Sequence, residues 1–244
     1  MPALADFLDK SPARGILEDT GCAMNKSPKI YADRKEAGKV LVKLLLEYSG
    51  EDTVVLGLPR GGVVVAAEIA RGLKCGLDIL FAGKLRAPFN PELAIGAVTE
   101  DGAVYLNRAV LIGMHIKQEH IEKEKKERLE SVKERLKLYR RVKEKVPLKD
   151  MTVIIADDGL ATGSTMISAI QAVHASGAGK IIVAVPGGPE DTMEKIKSMD
   201  EVDDVVCPVI PAIFYAVGQL YIDFRQIEDY EVIGILKEFA GQAE

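Results

Sequence analysis

The sequence predicts an α/β protein with a mostly parallel sheet flanked by helices, and three stretches predict it. TVVLGL runs into PRGG and then VVVAAEIARGL. VIIADDGLATGST runs into MISAIQAVHASG, and KIIVAVPGGP into EDTMEKIKSM. Each is a short β-branched apolar run, a Gly-rich turn, and apolar residues at helical spacing. Such alternation places parallel strands between covering helices. DDVVCPVI reads as a further strand. Ligands of these sheets bind at the carboxyl ends of the strands. The loops at 58–62, 157–165 and 186–189 are therefore expected on one rim.

The elements follow in chain order. Residues 1–30 mix Pro, Gly, Lys and Asp without periodicity and read as an extension or loosely packed arm. Met24 is an alternative start to Met1, since regular pattern begins near Tyr31. The main domain is expected over 31–244. From Ala32 to Tyr48 apolar residues fall at helical spacing (Ala37, Val40, Leu41, Leu44, Leu45), and Ser49-Gly50 ends the run. After the first strand–loop–helix unit comes a charged stretch, Ile116 to Lys145, read as a helical insertion over 116–145. Leu129, Val132, Leu136, Tyr139 and Val142 form a narrow apolar stripe on it. The stripe suits packing on its own domain first and a dimer contact second.

At 244 residues, 48% hydrophobic and 28% charged, the composition is that of a globular protein. The formal net charge of −5 argues against nonspecific nucleic-acid binding, which needs basic surface. Cys22, Cys75 and Cys207 are odd in number, and the sequence holds no CxxC. Neither a disulfide framework nor a thiolate metal site is indicated, and a reducing cytoplasm fits. No apolar run reaches the ~18 residues of a membrane span. The first residues, MPALADFLDKSPARG, lack the order of a signal peptide.

Asp157 and Asp158 end a predicted strand, and Gly159 lets the chain turn so that both reach one ligand. Two carboxylates accept hydrogen bonds from neighbouring sugar hydroxyls and attract Mg²⁺. Alone, the pair also fits an Asp-Gly turn with a helix cap. Thr162-Gly163-Ser164-Thr165 precedes a helical pattern, where free amides bind phosphate. Its bland alternative is N-capping by Thr162 or Ser164. Both features in one loop point to a ligand carrying a polyol and a phosphate. Other motifs fail. GLPRGGVV has Val63 where a P-loop needs Lys. His115 and His120 are five apart, about 140° around a helix, not a zinc pair. No nucleophile elbow appears, and His174 reads as a structural residue within a helix.

VIIADDGLATGST closely resembles the phosphoribosyl-pyrophosphate loop of type I phosphoribosyltransferases: an apolar strand, two acids, then a Thr-Gly-Ser/Thr turn. LGLPRGG resembles that family's pyrophosphate loop. KLRAPFNPELAIGAV, VAVPGGP and YAVGQLYIDFRQIEDYEV resemble the branch whose acceptor is unassigned. The resemblance spans Tyr31 to Phe239. It implies a small hood built from the chain ends and transfer of the 5-phosphoribosyl group from phosphoribosyl pyrophosphate to a nitrogen acceptor. Mg²⁺ would assist, contacting Asp157 and Asp158 directly or through water.

By the same resemblance, Asp157 and Asp158 hold the ribose diol, Ala161 to Thr165 hold the 5′-phosphate, and Gly159 counts among the substrate-binding residues. Arg60 and Gly61 meet the pyrophosphate, and Lys84 or Arg86 covers it. The family's flexible loop often carries a basic pair, whereas Gly83-Lys84-Leu85-Arg86 separates its two by one, leaving open which reaches the ligand. The charged helix stands where other members have a mobile loop. The peptide before Arg60 or Gly61 is a candidate for a strained or cis bond. Pro186 to Pro189, Phe214, Tyr215, Tyr221, Asp223 and Phe224 are acceptor-side candidates, or else the aromatics pack the C-terminal core. A homodimer is expected. The competing class is a regulatory protein that binds a phosphoribosyl compound or nucleotide without turnover.

Overall fold

A computed structural model of the chain describes residues 31–88, 90–100, 102, 104–106 and 108–240. The expectations for residues 1–30, including Met24 as a start, and the state of Cys22 lie outside them. The chain begins with α1 (Arg34–Leu44), β1 (Thr53–Gly57), α2 (Gly61–Leu73) and β2 (Gly76–Ile79). Three further strands follow, β3 (Ala82–Ala87), β4 (Asn90–Thr99) and β5 (Val104–Leu106), then α3 (Arg108–Met114) and α4 (Gln118–Arg140). The second half runs β6 (Thr152–Ala156), α5 (Ser164–Ala175), β7 (Lys180–Ala184), α6 (Glu190–Lys197), β8 (Asp204–Val206) and α7 (Asp229–Glu238).

The main sheet has the order β2-β1-β6-β7-β8, all parallel. Its strands read as continuous apolar runs because both faces are covered. Strand alternation sends Val54, Leu56, Val153, Ile155, Ile181 and Val183 to the face under α5 and α6. Val55, Ile154, Ile182 and Ala184 face α1, α2 and Phe239. Each fully buried aliphatic side chain contributes about 1.5–3 kcal/mol, so this double core dominates the stability.

The expected fold class holds, and the differences have local causes. The helix expected over Ala32–Tyr48 begins at Arg34, because Asp33 caps it by accepting the Glu36 N–H at 2.9 Å. It ends at Leu44, and a 3-10 turn, Leu46–Tyr48, completes the run. Within the charged stretch 116–145 the helix is α4, Gln118–Arg140, shorter than the stretch at both ends. His115 precedes α4 with φ 52, so His115 and His120 do not share a helix. His174 lies in α5 but is exposed, which gives no support to a structural role. The apolar stripe packs at home. Tyr139, Leu136 and Val142 join Val63, Ile79, Val232 and Leu236, while Leu129 packs beneath β3 and β4.

Pattern alone assigns no element to the segment 82–106. It forms a second, antiparallel sheet of order β3-β4-β5 that packs on α5. Register shifts on either side of Arg86 bend β3. At the other end of the site residues 31–32 meet residues 220–223 as a hood. The Tyr31 N–H donates to the Leu220 carbonyl, and the Ile222 and Asp223 N–H groups donate to the carbonyls of Tyr31 and Ala32.

Candidate active site

The carboxyl ends of β1, β6 and β7 supply three loops, laced by their backbones. The Leu58 N–H donates to Ala156 O at 3.0 Å, and the Leu160 N–H to Gly187 O at 3.0 Å. The peptide Pro59–Arg60 is cis. Gly61 lies against Asp158 so closely that a Cβ there would overlap its carboxylate, and one at Gly62 would stand 2.8 Å from Asp157 Cα. The predicted pyrophosphate loop and the predicted diacid thus interlock.

Gly163 is the residue before α5, with φ 68, a backbone that side chains rarely adopt. The capping alternative does not describe this end, since Gly163 is the N-cap and no side chain caps the helix. Thr162 and Ser164 instead join their hydroxyls at 2.9 Å. The first-turn amides of a helix lack intrahelical partners and carry the positive end of its dipole. They begin here at Ser164, with Ala161, Thr162 and Thr165 exposed around them. The Ala161 carbonyl is held by the Thr192 hydroxyl at 2.9 Å.

The two acids have different surroundings. Asp157 accepts the Asp158 N–H at 2.8 Å. Burial, then the neighbouring Asp158 charge, push its carboxyl well above the usual carboxylate range. Asp158 is paired with Arg34, Nε to Oδ2 at 2.8 Å. Its backbone carbonyl accepts the Tyr221 hydroxyl at 2.6 Å.

Of the two basic residues on β3, Lys84 reaches the start of α5, donating to Ser164 Oγ at 3.4 Å. Arg86 turns to α4, where Glu124 accepts from its Nε at 3.1 Å and its backbone N–H at 3.0 Å. His120 Nε2 lies 2.7 Å from the Arg86 carbonyl. Arg60 donates to Glu228 at 3.3 Å and lies 4.0 Å from Asp229, both at the start of α7.

The acceptor-side candidates separate. Tyr221 is buried and Phe214 half-buried, as core packing expects. Tyr215 is not core: it is 87% exposed. Phe224 stacks on Tyr221, ring centroids 5.1 Å apart, beneath the Arg34 guanidinium at 4.0 Å. Asp223 accepts the Arg225 N–H at 3.2 Å.

Sequence reading missed Arg34, Tyr31 and Glu228. Tyr31 donates to the Pro186 carbonyl at 3.1 Å and so holds the third loop. A signal existed for Arg34, because a cation in the first turn of a helix opposes the dipole and needs another reason to be there.

Magnesium prefers oxygen donors and keeps several waters, with one or two carboxylates and substrate phosphates completing its shell. Among the described residues no cluster of three or more His, Cys, Asp or Glu forms a metal cage. Asp157 and Asp158, one of them committed to Arg34, fit an ion that arrives on a polyphosphate.

The diacid after β6, the loop that opens α5 and the Gly loop after β1 thus share one rim of a parallel sheet. The family model described as phosphoribosyl transferase domain matches residues 28–224, and the chain belongs to that family. Two Mycobacterium tuberculosis proteins, from strains CDC 1551 / Oshkosh and H37Rv, are named as inferred phosphoribosyl transferases. Each is 43% identical over 208 residues, 85% of this chain. The chain spans about half the length of these curated relatives, 46%. The crystal structure of TT1426 from Thermus thermophilus superposes with a TM-score of 0.82 at 40% identity, covering 87% of this chain and 100% of that one. The family resemblance drawn from the loops is borne out.

Proposed function

We propose that the chain transfers the 5-phosphoribosyl group from phosphoribosyl pyrophosphate to a nitrogen acceptor, a nucleobase or related amine, releasing pyrophosphate. The observation that carries this reading is the interlock of Gly61 with Asp158, beside a phosphate loop that Lys84 touches. One ligand spanning those groups has a 5′-phosphate, a diol and a second anionic group at its anomeric end.

The acceptor nitrogen bonds to the anomeric carbon as the carbon–oxygen bond to pyrophosphate breaks, and pyrophosphate leaves with the electron pair. The chain's task is to hold the two ends in line and to stabilise charge. The amides of 161–165 hold the 5′-phosphate. Asp157 and Asp158 accept from the ribose hydroxyls and face the positive character that grows on the ring. Arg60 exchanges Glu228 for the leaving pyrophosphate, the Gly61 amide lies alongside, and Lys84 covers it from β3. Arg86, held by Glu124, supports the hairpin rather than touching the ligand. Mg²⁺ contacted by Asp157 and Asp158, directly or through water, would neutralise the leaving group and orient it as a Lewis acid. Phe224, Tyr215 and Asp223 border the acceptor side. The buried thiols of Cys75 and Cys207 suit a reducing compartment such as the cytoplasm. A homodimer is part of the same proposal.

Product formation from phosphoribosyl pyrophosphate against a panel of bases and amines tests the reading. Asp157→Asn and Asp158→Asn then separate an enzyme from a regulatory binder. At least one variant should bind within about tenfold of the parent, a 1.4 kcal/mol change, while turnover falls more than about a hundredfold. Only interactions stronger in the transition state have that effect. A parent that binds phosphoribosyl compounds and forms no product with any acceptor would favour the regulatory binder.

A further inference from the structure

We propose that Arg34 is a positioning residue of this site, holding the Asp158 carboxylate in the orientation that meets a sugar diol and tying that orientation to the ring of Phe224. The inference rests on the phosphoribosyl reading above.

Arg34 stands where a cation is costly. It lies in the first turn of α1, at the positive end of the helix dipole, and is 7% exposed. A buried guanidinium is tolerated when paired and hydrogen-bonded, and its partners converge on the site. Nε donates to Asp158 Oδ2 at 2.8 Å. Nη1 donates to the Arg225 carbonyl at 2.9 Å. The guanidinium carbon lies 4.0 Å from the Phe224 ring centroid and 5.7 Å from that of Tyr221.

A planar fork can make the two in-plane bonds and the ring contact together, whereas an ammonium is a point charge that cannot. The Tyr221 hydroxyl pins the Asp158 carbonyl independently. Backbone and side chain of the acid are thus both fixed before any ligand arrives. Orientation fixed in advance is not lost from the binding or activation free energy. Phe224 and the Arg225 carbonyl belong to the hood, so the acid on the ribose side and the ring on the acceptor side share one guanidinium.

The test compares affinities for inorganic phosphate and ribose 5-phosphate by calorimetry, with the parent, Arg34→Met, Arg34→Lys, Asp158→Asn and Arg34→Lys/Asp158→Asn. The ratio of the two affinities isolates what the sugar adds. The parent should prefer ribose 5-phosphate. Arg34→Lys and Asp158→Asn should each reduce that preference about tenfold, with phosphate affinity unchanged, and the double variant should lose no more than either single one. Should Arg34→Met fail to fold, Arg34→Lys, which keeps a cation in place, carries the comparison.

If Arg34→Lys keeps the preference while Asp158→Asn loses it, the proposal is wrong. Equal weakening of both ligands in Arg34→Lys would make Arg34 a structural bolt only, and also overturns it. A parent without preference for ribose 5-phosphate would instead remove the phosphoribosyl reading, and the inference with it.

Discussion

Gly61→Ala is the smallest change that tests the interlock of the two loops. An added Cβ would overlap the Asp158 carboxylate oxygen and stand 2.8 Å from Asp158 Cγ and 2.9 Å from Arg34 Nε. The carboxylate is the tip of a short side chain and can rotate, but only by leaving Arg34. That forfeits a charged hydrogen bond in a largely buried setting, about 1.5–3 kcal/mol. Restricting the unfolded chain returns about 0.4–1 kcal/mol. The net loss is then about 0.5–2.6 kcal/mol, or roughly 1–10 °C in melting temperature for a chain of this size. Thermal melting by circular dichroism reads it, with Gly50→Ala as control, since nothing lies within 4 Å of a Cβ at Gly50. In an Asp158→Ala background the cost of Gly61→Ala should at least halve, because the overlapping atoms are gone. A Gly61→Ala protein that melts within about 1 °C of the parent, or that loses as much in the Asp158→Ala background, would refute the interlock.

Three further outcomes are expected. Gly163→Ala combines a left-handed backbone, costing about 1–2 kcal/mol, with a Cβ 2.7 Å from Thr192 Cγ2; it should melt lower and bind phosphate more weakly by calorimetry, and unchanged phosphate affinity would remove Gly163 from the anion site. Arg140→Met leaves the buried Asp78 and the half-buried Glu100 without the guanidinium each meets at 2.7 Å, so urea unfolding should show a loss of about 3–5 kcal/mol, against a small loss if the cluster is idle. A hydrogen bond from Arg225 holds the Glu231 carboxyl, near the surface, down at about 2. The stabilisation is therefore present above the ordinary carboxylate pKa and is lost as pH falls toward 2. Glu231→Gln should be the less stable protein at neutral pH, by a margin that narrows on acidification and in high salt; a gap that widens on acidification contradicts the assignment.

The main sheet was legible because its strands are unbroken β-branched runs, and because TVVLG, TVIIA and KIIVA each lead into a turn and a helix. The diacid and the loop that opens α5 were legible together, as thirteen contiguous residues from Val153 to Thr165. The hairpin of β3 and β4 was not. Its turn, around Pro88, carries no Asn-Gly or Asp-Gly signal, and the shifts beside Arg86 break the alternation that marks a strand. Nor was the division between Lys84 and Arg86, which is decided by Glu124 and Ser164, residues 38 and 80 positions away. Arg34 was hidden for the same reason, since its partner lies 124 residues downstream.

The hood is fastened to each of the three rim loops by a different side chain: Tyr31 to Pro186, Arg34 to Asp158, and Arg60 to Glu228. None of the three fastenings involves the stretch from Ala212 to Ala216, where Ile213 and Tyr215 stand in solvent. Those two exposed side chains can change without loosening any bolt, whereas Phe214 packs in the cluster of Tyr31 and Tyr221. Variation at those two positions therefore carries little mechanical risk. On the proposed function, exchanging Ile213 and Tyr215 should alter which acceptors react before it alters affinity for ribose 5-phosphate.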